Sequence, residues 1–265
     1  LDENTVPSEV VPLVSSINDL LLRLQGSIAT QKRFLADAAH QLKTPLAGLR
    51  MQADLAQRSD ANAQDLKQSL KQIGRASVQA THTVNQLLSL ARAEGGGAID
   101  FQTCDMEALI SEVLNDSLPH AMDKGIDLGY DGVDTEKKRK FLKLQGNPTL
   151  LKEMIRNLVD NAIHYTPSTP ERMGIITVRL LVDPYSQALA VQVEDNGPGI
   201  AAAERERVFE PFYRALGSNV DGSGLGLPIV REIAQRHGAS VTVEVAHPGH
   251  ALPGACFTIR FAPAD

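Results

Sequence analysis

Residues 34–56 contain a histidine whose surroundings suit nucleophilic chemistry. Apolar residues recur there every three or four positions, which predicts one face of a helix; they are Leu35, Ala38, Leu42, Leu46, Leu49, Ala53 and Ala56. His40 falls between these positions, so we expect it to point away from that face. A free imidazole has a pKa of about 6.5 and is nucleophilic at neutral pH. Thr44 adds a hydroxyl one turn later, and Pro45 removes a backbone donor beside it. A solvated surface histidine is the alternative.

Two amides and an imidazole share one face of a second predicted helix, residues 148–165. Asn157, Asn161 and His164 are spaced at i, i+4 and i+7, on the face away from Leu151 and Leu158. Such side chains in a row can hold Mg²⁺ and phosphate oxygens. A polar face turned to solvent is the alternative.

An aspartate and two glycines follow a strand pattern at 189–194. Asp195 could accept a hydrogen bond from an exocyclic amine, while Gly197 and Gly199 permit close approach of a ligand to the backbone. One alternative is an ordinary tight turn. Another is a dinucleotide-binding fingerprint, because residues 197–202 match G-x-G-x-x-A. Pro198 and the short helix predicted after it fit that fingerprint poorly.

Further along, an aromatic cluster and a glycine-rich turn flank a short polar segment. The aromatic residues Phe209, Phe212 and Tyr213 either anchor a mobile loop or form a small satellite core. Residues 222–228 open a helix, where free N–H groups attract phosphate. The positions concerned are Gly222, Gly224, Leu225, Gly226 and Leu227. They lack the Lys-Ser/Thr ending of a P-loop. We expect residues 215–221 to form a lid over the phosphates.

Long helices must carry the first of these groups. Helical patterns cover roughly 8–56 and 63–93, with a turn at 58–62. Two helices with an apolar stripe each predict an antiparallel hairpin. A hairpin of this kind buries both stripes by pairing with a second copy, so we expect a homodimeric four-helix bundle. Three glycines at 95–97 predict a flexible joint after it.

Strand and helix patterns alternate beyond this joint, which predicts an α/β domain. The predicted strands are 141–144, 175–181, 189–194, 241–245 and 257–261, and the predicted helices are 106–123, 148–165 and 225–237. Several short strands are neighbours in sequence, which favours a sheet covered on one face by helices.

The composition limits the class of protein. The chain has 265 residues, a net charge of −6 and dispersed Lys and Arg, so no nucleic-acid footprint is present. Cys104 and Cys256 form no disulfide framework and have no neighbouring metal ligands in sequence. No apolar run approaches the ~20 residues of a membrane span. Because the chain starts at Leu1, we expect a fragment of a longer protein.

Taken in order, these motifs resemble the catalytic core of bacterial sensor histidine kinases. Residues 40–45 match the phosphoacceptor box, 157–165 the N box, 195–199 the first glycine box, 209–214 the F box and 222–227 the second glycine box. Residues 6–24 are similar to the second helix of a HAMP signal-relay module. The residues around His40 resemble those of the tricarboxylate-sensing group.

This resemblance implies a domain order and a fold. Residues 1–27 would end a HAMP-like signalling helix, 28–94 would form the dimerisation and histidine-phosphotransfer hairpin, and 95–98 would be the linker. Residues 99–265 would form an ATP-binding α/β sandwich of the gyrase/Hsp90/histidine kinase type. The whole would be the cytoplasmic portion of a bacterial inner-membrane protein, attached to the membrane through a part that precedes this sequence.

The resemblance also implies roles for single residues. Asp195 would bind the adenine amino group beside Tyr165, Asn161 would ligate Mg²⁺ with Asn157 close by, and His164 would donate to a phosphate. Arg214 would reach the γ-phosphate. Phe209 and Phe212 would belong to the F box, and the glycines of residues 222–227 would line the triphosphate.

The implied reaction is ATP-dependent autophosphorylation of His40, followed by phosphotransfer to an aspartate on a response-regulator receiver domain. Thr44 would orient water for a reverse phosphatase reaction. Position 41 is usually Glu or Asp in the family, whereas Gln41 here cannot accept the imidazole proton. Two alternatives remain: a hydrolysing ATPase of the same nucleotide fold that does not need His40, and a phosphatase-only or scaffold signalling protein.

Overall fold

Two long helices come first in the chain and a mixed α/β unit follows. The computed structural model describes residues 7, 11–57, 62–94, 100–133, 142–183, 185–214 and 223–263. The chain divides into two compact units, residues 1–84 and 85–265. Several predicted features lie outside the described residues: most of the turn at 58–62, the joint at 95–98, the lid at 215–221, Gly222, and residues 1–6 and 8–10 of the HAMP-like segment.

The first helices are α1 (Val11–Ala56) and α2 (Ala63–Glu94). Helix α1 continues through Pro45 despite the lost backbone donor. Helix α2 starts with a reciprocal cap, because Asn62 Oδ1 accepts from the Gln64 and Asp65 N–H groups at 2.9 Å each. The Asn62 N–H in turn donates to Asp65 Oδ2 at 3.4 Å. The two predicted helices are therefore confirmed.

Among its residues described from position 100 on, the α/β unit contains three α-helices and seven strands. These are β1 (Gln102–Asp105), α3 (Met106–Asp123), β2 (Ile126–Asp131), β3 (Lys143–Gly146), α4 (Pro148–Tyr165), β4 (Gly174–Val182), β5 (Leu189–Asp195), α5 (Gly226–Arg236), β6 (Ser240–Val245) and β7 (Ala255–Arg260). Caps define where two helices begin: Asp105 accepts from the Ala108 N–H, and Asn147 accepts from the Leu150 N–H at 3.1 Å. Pro148 follows at the first turn of α4, where its missing donor has no cost.

A five-stranded sheet in the order β2-β4-β5-β7-β6 supports the three helices. Strands β2 and β4 are parallel, and the other neighbours are antiparallel. One row across the sheet places Val178 opposite Val193, Val193 opposite Phe257 and Phe257 opposite Val243, all buried. Helix α4 packs between α3 and α5 and contacts β4 and β5. The predicted fold class, a helical region followed by an α/β domain, is confirmed.

Some strands differ from the sequence prediction. Strands β1 and β2 were missed because they contain acidic residues and a glycine, and pairing with distant strands stabilises them. Strand β3 lies two residues beyond the predicted 141–144, because Gln102 pairs with Gly146. Strand β7 starts at Ala255 and not at the predicted 257. Among the described residues, none of the helices has the length and apolar content needed to cross a bilayer.

Candidate active site

The predicted site residues are distributed over both units. Positions 40, 41 and 44 belong to α1, and the nucleotide-site candidates belong to the α/β unit. The backbone at positions 40 and 41 is helical, while the side chains of His40 and Gln41 lie outside the described part of the chain. Thr44 is exposed on the same helix.

The end of β5 holds a buried carboxylate. Asp195 is 7% exposed, and its Oδ1 accepts the Gly197 N–H at 2.8 Å and the Ala255 N–H at 3.3 Å. Both of these bonds end on one oxygen, and within the described residues no hydrogen bond reaches Oδ2. Burial raises the pKa of this carboxyl, against the lowering effect of the two N–H groups. Oδ2 is therefore available to accept a donor from a ligand.

The turn after Asp195 lies against the end of α4. A Cβ on Gly197 would approach the Tyr165 carbonyl oxygen to 3.1 Å, so the absence of a side chain permits this contact. Tyr165 is half-buried, and its ring meets the His164 ring edge to face at a centroid distance of 5.3 Å. The predicted N box and first glycine box are thus neighbours in space.

The start of α5 covers the middle of α4. Asn157 is 7% exposed and does not face solvent, which rules out the fully solvated polar face considered from sequence. A Cβ on Gly226 would lie 3.1 Å from Asn157 Oδ1, and the Asn157 amide donates to the Glu153 carbonyl at 2.9 Å. Asn161 and His164, further along α4, are half-buried. The N box and the second glycine box therefore form one continuous surface.

The N-terminus of α5 suits an anion. Leu225 is fully buried and contributes no side-chain cap, and its own N–H donates to Ser223 Oγ at 3.2 Å. The first N–H groups of an α-helix lack intrahelical acceptors and attract phosphate. Gly226 and Leu227 are half-buried at this end. Gly224, just before it, has a φ of +70°.

The F box is partly a core element and partly a contact to the second glycine box. Phe209 is buried against Phe257 edge to face at 6.3 Å, with the Arg231 guanidinium 4.4 Å above its ring. Phe212 adopts a φ of +63°, rare for a residue with a side chain, and its N–H donates to the Gly224 carbonyl at 2.9 Å. Arg214 is exposed. Phe209 thus has the core role that sequence left open, and Phe212 connects the F box to the second glycine box.

The turn between β6 and β7, residues 246–254, which we name the β6–β7 loop, was not predicted to belong to the site. Gly254 donates its N–H to the Gly197 carbonyl at 2.9 Å, and Ala255, the next residue, donates to Asp195. A proline and a glycine before an apolar strand signal a turn, but they do not show which residues the turn will contact.

The residues present fit Mg²⁺ bound together with a nucleotide. Magnesium prefers hard oxygen ligands and retains several waters and phosphate oxygens, so one or two amide oxygens from the protein suffice. Asn161, half-buried and one turn beyond the buried Asn157, provides such a group. Within the described residues no cluster of three His, Cys, Asp or Glu side chains forms an independent metal site.

Two family models match the chain in succession. Residues 30–96 match the His Kinase A (phospho-acceptor) domain, and residues 146–265 match the histidine kinase-, DNA gyrase B- and HSP90-like ATPase. The sensor protein QseC of Escherichia coli is 36% identical over 250 residues, which cover 94% of this chain and 52% of that protein. The chain thus spans about half the length of this relative.

Solved structures agree with this result. The mycobacterial sensor histidine kinase MprB is 29% identical, with a TM-score of 0.51 over 61% of this chain and 97% of that one. Histidine kinase ThkA, solved in complex with the response regulator protein TrrA, shares the fold at a TM-score of 0.70 over 91% of this chain and 64% of that one, at 21% identity. With a phospho-acceptor domain followed by the matching ATPase domain, this chain belongs to the sensor histidine kinases.

Proposed function

We propose that this chain binds ATP in its α/β unit and transfers the γ-phosphoryl group to His40. The observation that carries the proposal is the meeting of four separate motifs around one site: Asp195 with Gly197, Tyr165 beside them, Asn157 beneath Gly226, and Phe212 joined to Gly224. The match of residues 30–96 to a phospho-acceptor domain supports His40 as the acceptor.

Each group has a task in holding the nucleotide. The Oδ2 of Asp195 accepts the exocyclic amine of adenine, and the Tyr165 ring flanks the base. The N–H groups at the start of α5 bind phosphate oxygens, with room provided by Gly224 and Gly226. Asn161 would hold Mg²⁺, which would neutralise phosphate charge. His164 and Arg214 donate to phosphates, and Gly222 completes the lining.

In the transfer step, the lone pair on His40 Nε2 attacks the γ-phosphorus in line. The N–P bond forms as the bond to the ADP oxygen breaks, so positioning is the main catalytic device. The imidazole then carries one proton too many, at Nδ1. The Gln41 carbonyl can accept a hydrogen bond from Nδ1–H and orient the ring, but an amide does not take up the proton, which leaves to solvent.

Incubation with γ-labelled ATP tests this reaction. The full chain should acquire a label that is lost in acid and survives alkali, as a phosphoramidate does, and a His40→Gln variant should acquire none. Label that stays on the variant, or ATP hydrolysis that does not depend on His40, would support the ATPase alternative. A chain that binds ATP without labelling would support the scaffold alternative.

We infer that the functional form is a homodimer. Several apolar side chains of the helical unit are more than half exposed in one copy: Leu13, Leu20, Leu22, Leu46 and Leu70. Exposed apolar area of this extent on long helices is typical of an unfilled bundle interface. Sedimentation equilibrium should give twice the chain mass of 28.6 kDa. A monomer at micromolar concentration would contradict the dimer.

We also propose phosphotransfer to a receiver domain that docks on α1 beyond position 40. Ala47, Met51 and Leu55 line an exposed groove two to four turns after that position, together with Arg50 and Asp54. The ThkA complex with a response regulator supports a partner of this class. Met51→Glu should slow transfer to the receiver and leave self-labelling unchanged; equal slowing of both would contradict the assignment.

The reverse reaction involves Thr44, one turn after position 40. Its hydroxyl would orient the water that hydrolyses the receiver aspartyl phosphate, so Thr44→Ala should lower phosphatase activity and retain self-labelling. We further propose that the chain is the cytoplasmic part of a membrane-anchored sensor, supported by its similarity to a sensor protein about twice as long. Fractionation of cells that express the natural gene would test this location.

A further inference from the structure

The β6–β7 loop contacts the aspartate turn of the nucleotide site through its backbone. The Gly254 N–H donates to the Gly197 carbonyl at 2.9 Å, and the next N–H along the chain, of Ala255, donates to Asp195 Oδ1 at 3.3 Å. The loop closes on itself through the His247 N–H, which donates to the Pro253 carbonyl at 2.7 Å. Two successive N–H groups therefore hold the turn that begins with Asp195.

The contact between the two turns leaves no room for a side chain on either one. A Cβ on Gly254 would lie 2.0 Å from the Asp195 carbonyl oxygen and 3.1 Å from Ala246 Cβ. A Cβ on Gly199 would lie 2.7 Å from the Gly254 carbonyl oxygen. Gly254 also has a φ of +65°, which disfavours a residue with a side chain. A side chain at position 254 must therefore push the loop away from Asp195.

Displacement of the β6–β7 loop would change the orientation of the Asp195 carboxylate. Asp195 Oδ1 has two N–H partners, one from its own turn and one from Ala255. With both in place the carboxylate has one orientation and presents Oδ2 to the ligand. Loss of the Ala255 bond removes the one partner among the described residues that reaches Oδ1 from the neighbouring strand β7.

We propose that Gly254 is a positioning residue for base recognition, which acts by holding Asp195 in the orientation that accepts the adenine amine. The proposal rests on the function proposed above. Gly254 does not touch the nucleotide. It sets the choice between adenine, which offers an amine donor, and guanine, which offers a carbonyl acceptor at the same position of the ring.

Autophosphorylation kinetics of the full chain with ATP and with GTP test this role. Gly254→Ala should raise the KM for ATP by about tenfold or more and leave kcat within about threefold, because ground-state recognition of the base is lost and the phosphoryl-transfer groups are intact. The ratio of kcat/KM for ATP to that for GTP should fall by about fivefold or more. A misfolded, inactive fraction lowers the apparent kcat/KM for ATP and for GTP by the same factor. The ratio of the two values therefore does not depend on the folded fraction.

A second glycine of the same loop provides the matched control. Gly249 has a φ of +84°, and a Cβ there would meet nothing within 4 Å. Gly249→Ala therefore carries the same kind of backbone strain without displacing Asp195, and its KM and selectivity should remain within about twofold of the original values. Gly254→Ala indistinguishable from Gly249→Ala would overturn the proposal.

Two further variants keep the result interpretable. Pro253→Gly loosens the β6–β7 loop without adding atoms. It should lower the selectivity for ATP over GTP by a smaller factor than Gly254→Ala does. If Gly254→Ala does not fold, unchanged selectivity in Pro253→Gly overturns the proposal. Asp195→Asn serves as the reference. If it leaves ATP selectivity unchanged, the proposed base recognition itself is wrong. If it abolishes selectivity while the loop variants do not, only the role of Gly254 is wrong.

Discussion

Replacing Asp195 by Asn should separate nucleotide recognition from the stability of the fold. The variant keeps Oδ1 as acceptor for the Gly197 and Ala255 N–H groups, which lie at 2.8 and 3.3 Å, so the turn has no reason to change. It replaces Oδ2 by an amide NH₂, which faces the adenine amine donor to donor. A hydrogen bond to a charged group contributes about 1.5–3 kcal/mol, so ATP should bind about 10- to 150-fold more weakly.

The effect on stability should have the opposite sign. Asp195 is 7% exposed, and burial raises its pKa, so the charged form is disfavoured in the folded state. That cost accumulates as the pH rises from the unfolded-state pKa through the raised folded-state pKa. Asn carries no charge, so the variant without nucleotide should unfold at the same temperature or higher. The advantage should shrink in acid, where the wild-type carboxyl is protonated.

Calorimetric titration with ATP and thermal unfolding without nucleotide measure the two effects on the same preparation. An affinity within about threefold of wild type would show that Oδ2 does not contact the base. Unfolding several degrees below wild type at pH 7 would show that the charge stabilises the fold, and the account of the buried carboxylate would then be wrong.

Three further predictions concern glycine, histidine and glutamine positions. Gly224→Ala should lower the unfolding free energy by at least ~1–2 kcal/mol, measured in urea, because the left-handed backbone disfavours a side chain and a Cβ would lie 2.8 Å from the Phe212 backbone. Stability should fall between pH 7 and pH 5, measured by thermal unfolding, since His237 Nε2 accepts the Asn147 N–H at 3.1 Å only when neutral. Gln41→Glu should alter the pH–rate profile of autophosphorylation, because a carboxylate can take the imidazole proton.

The sign of the histidine effect follows from its surroundings. Burial lowers the pKa of His237, and its Nδ1 lies 2.7 Å from the Ile233 carbonyl, which requires a proton there. The unfolded state therefore takes up the second proton first, and the stability present above the unfolded pKa is lost as the pH falls. His237→Gln should flatten this dependence. An equally steep loss in that variant would assign it to other groups.

The prediction for Gly224 has a matched control in the chain, and the prediction for Gln41 has a clear contradicting result. Gly238 has a φ of +64°, and a Cβ there would meet nothing within 4 Å, so Gly238→Ala should cost less than Gly224→Ala. Equal costs would mean that the Phe212 contact adds nothing. For position 41, identical pH–rate profiles of Gln and Glu would show that this side chain is not near the transferred proton.

The sequence determined the parts of this protein that depend on neighbours along the chain. Helical periodicity predicted α1, α2 and α4, and the strand pattern before Asp195 correctly placed that carboxylate at a strand end. The glycines around it were recognisable because a ligand or backbone that approaches closely needs residues without a side chain.

Only the tertiary structure decided which of these parts meet. Asp195 and Ala255 are 60 positions apart, and they touch because β5 pairs with β7. Asn157 is buried because the start of α5 lies over it, which its place on a polar face did not indicate. Sheet register and helix packing depend on the summed burial of many distant side chains, and no local pattern along the chain contains that sum.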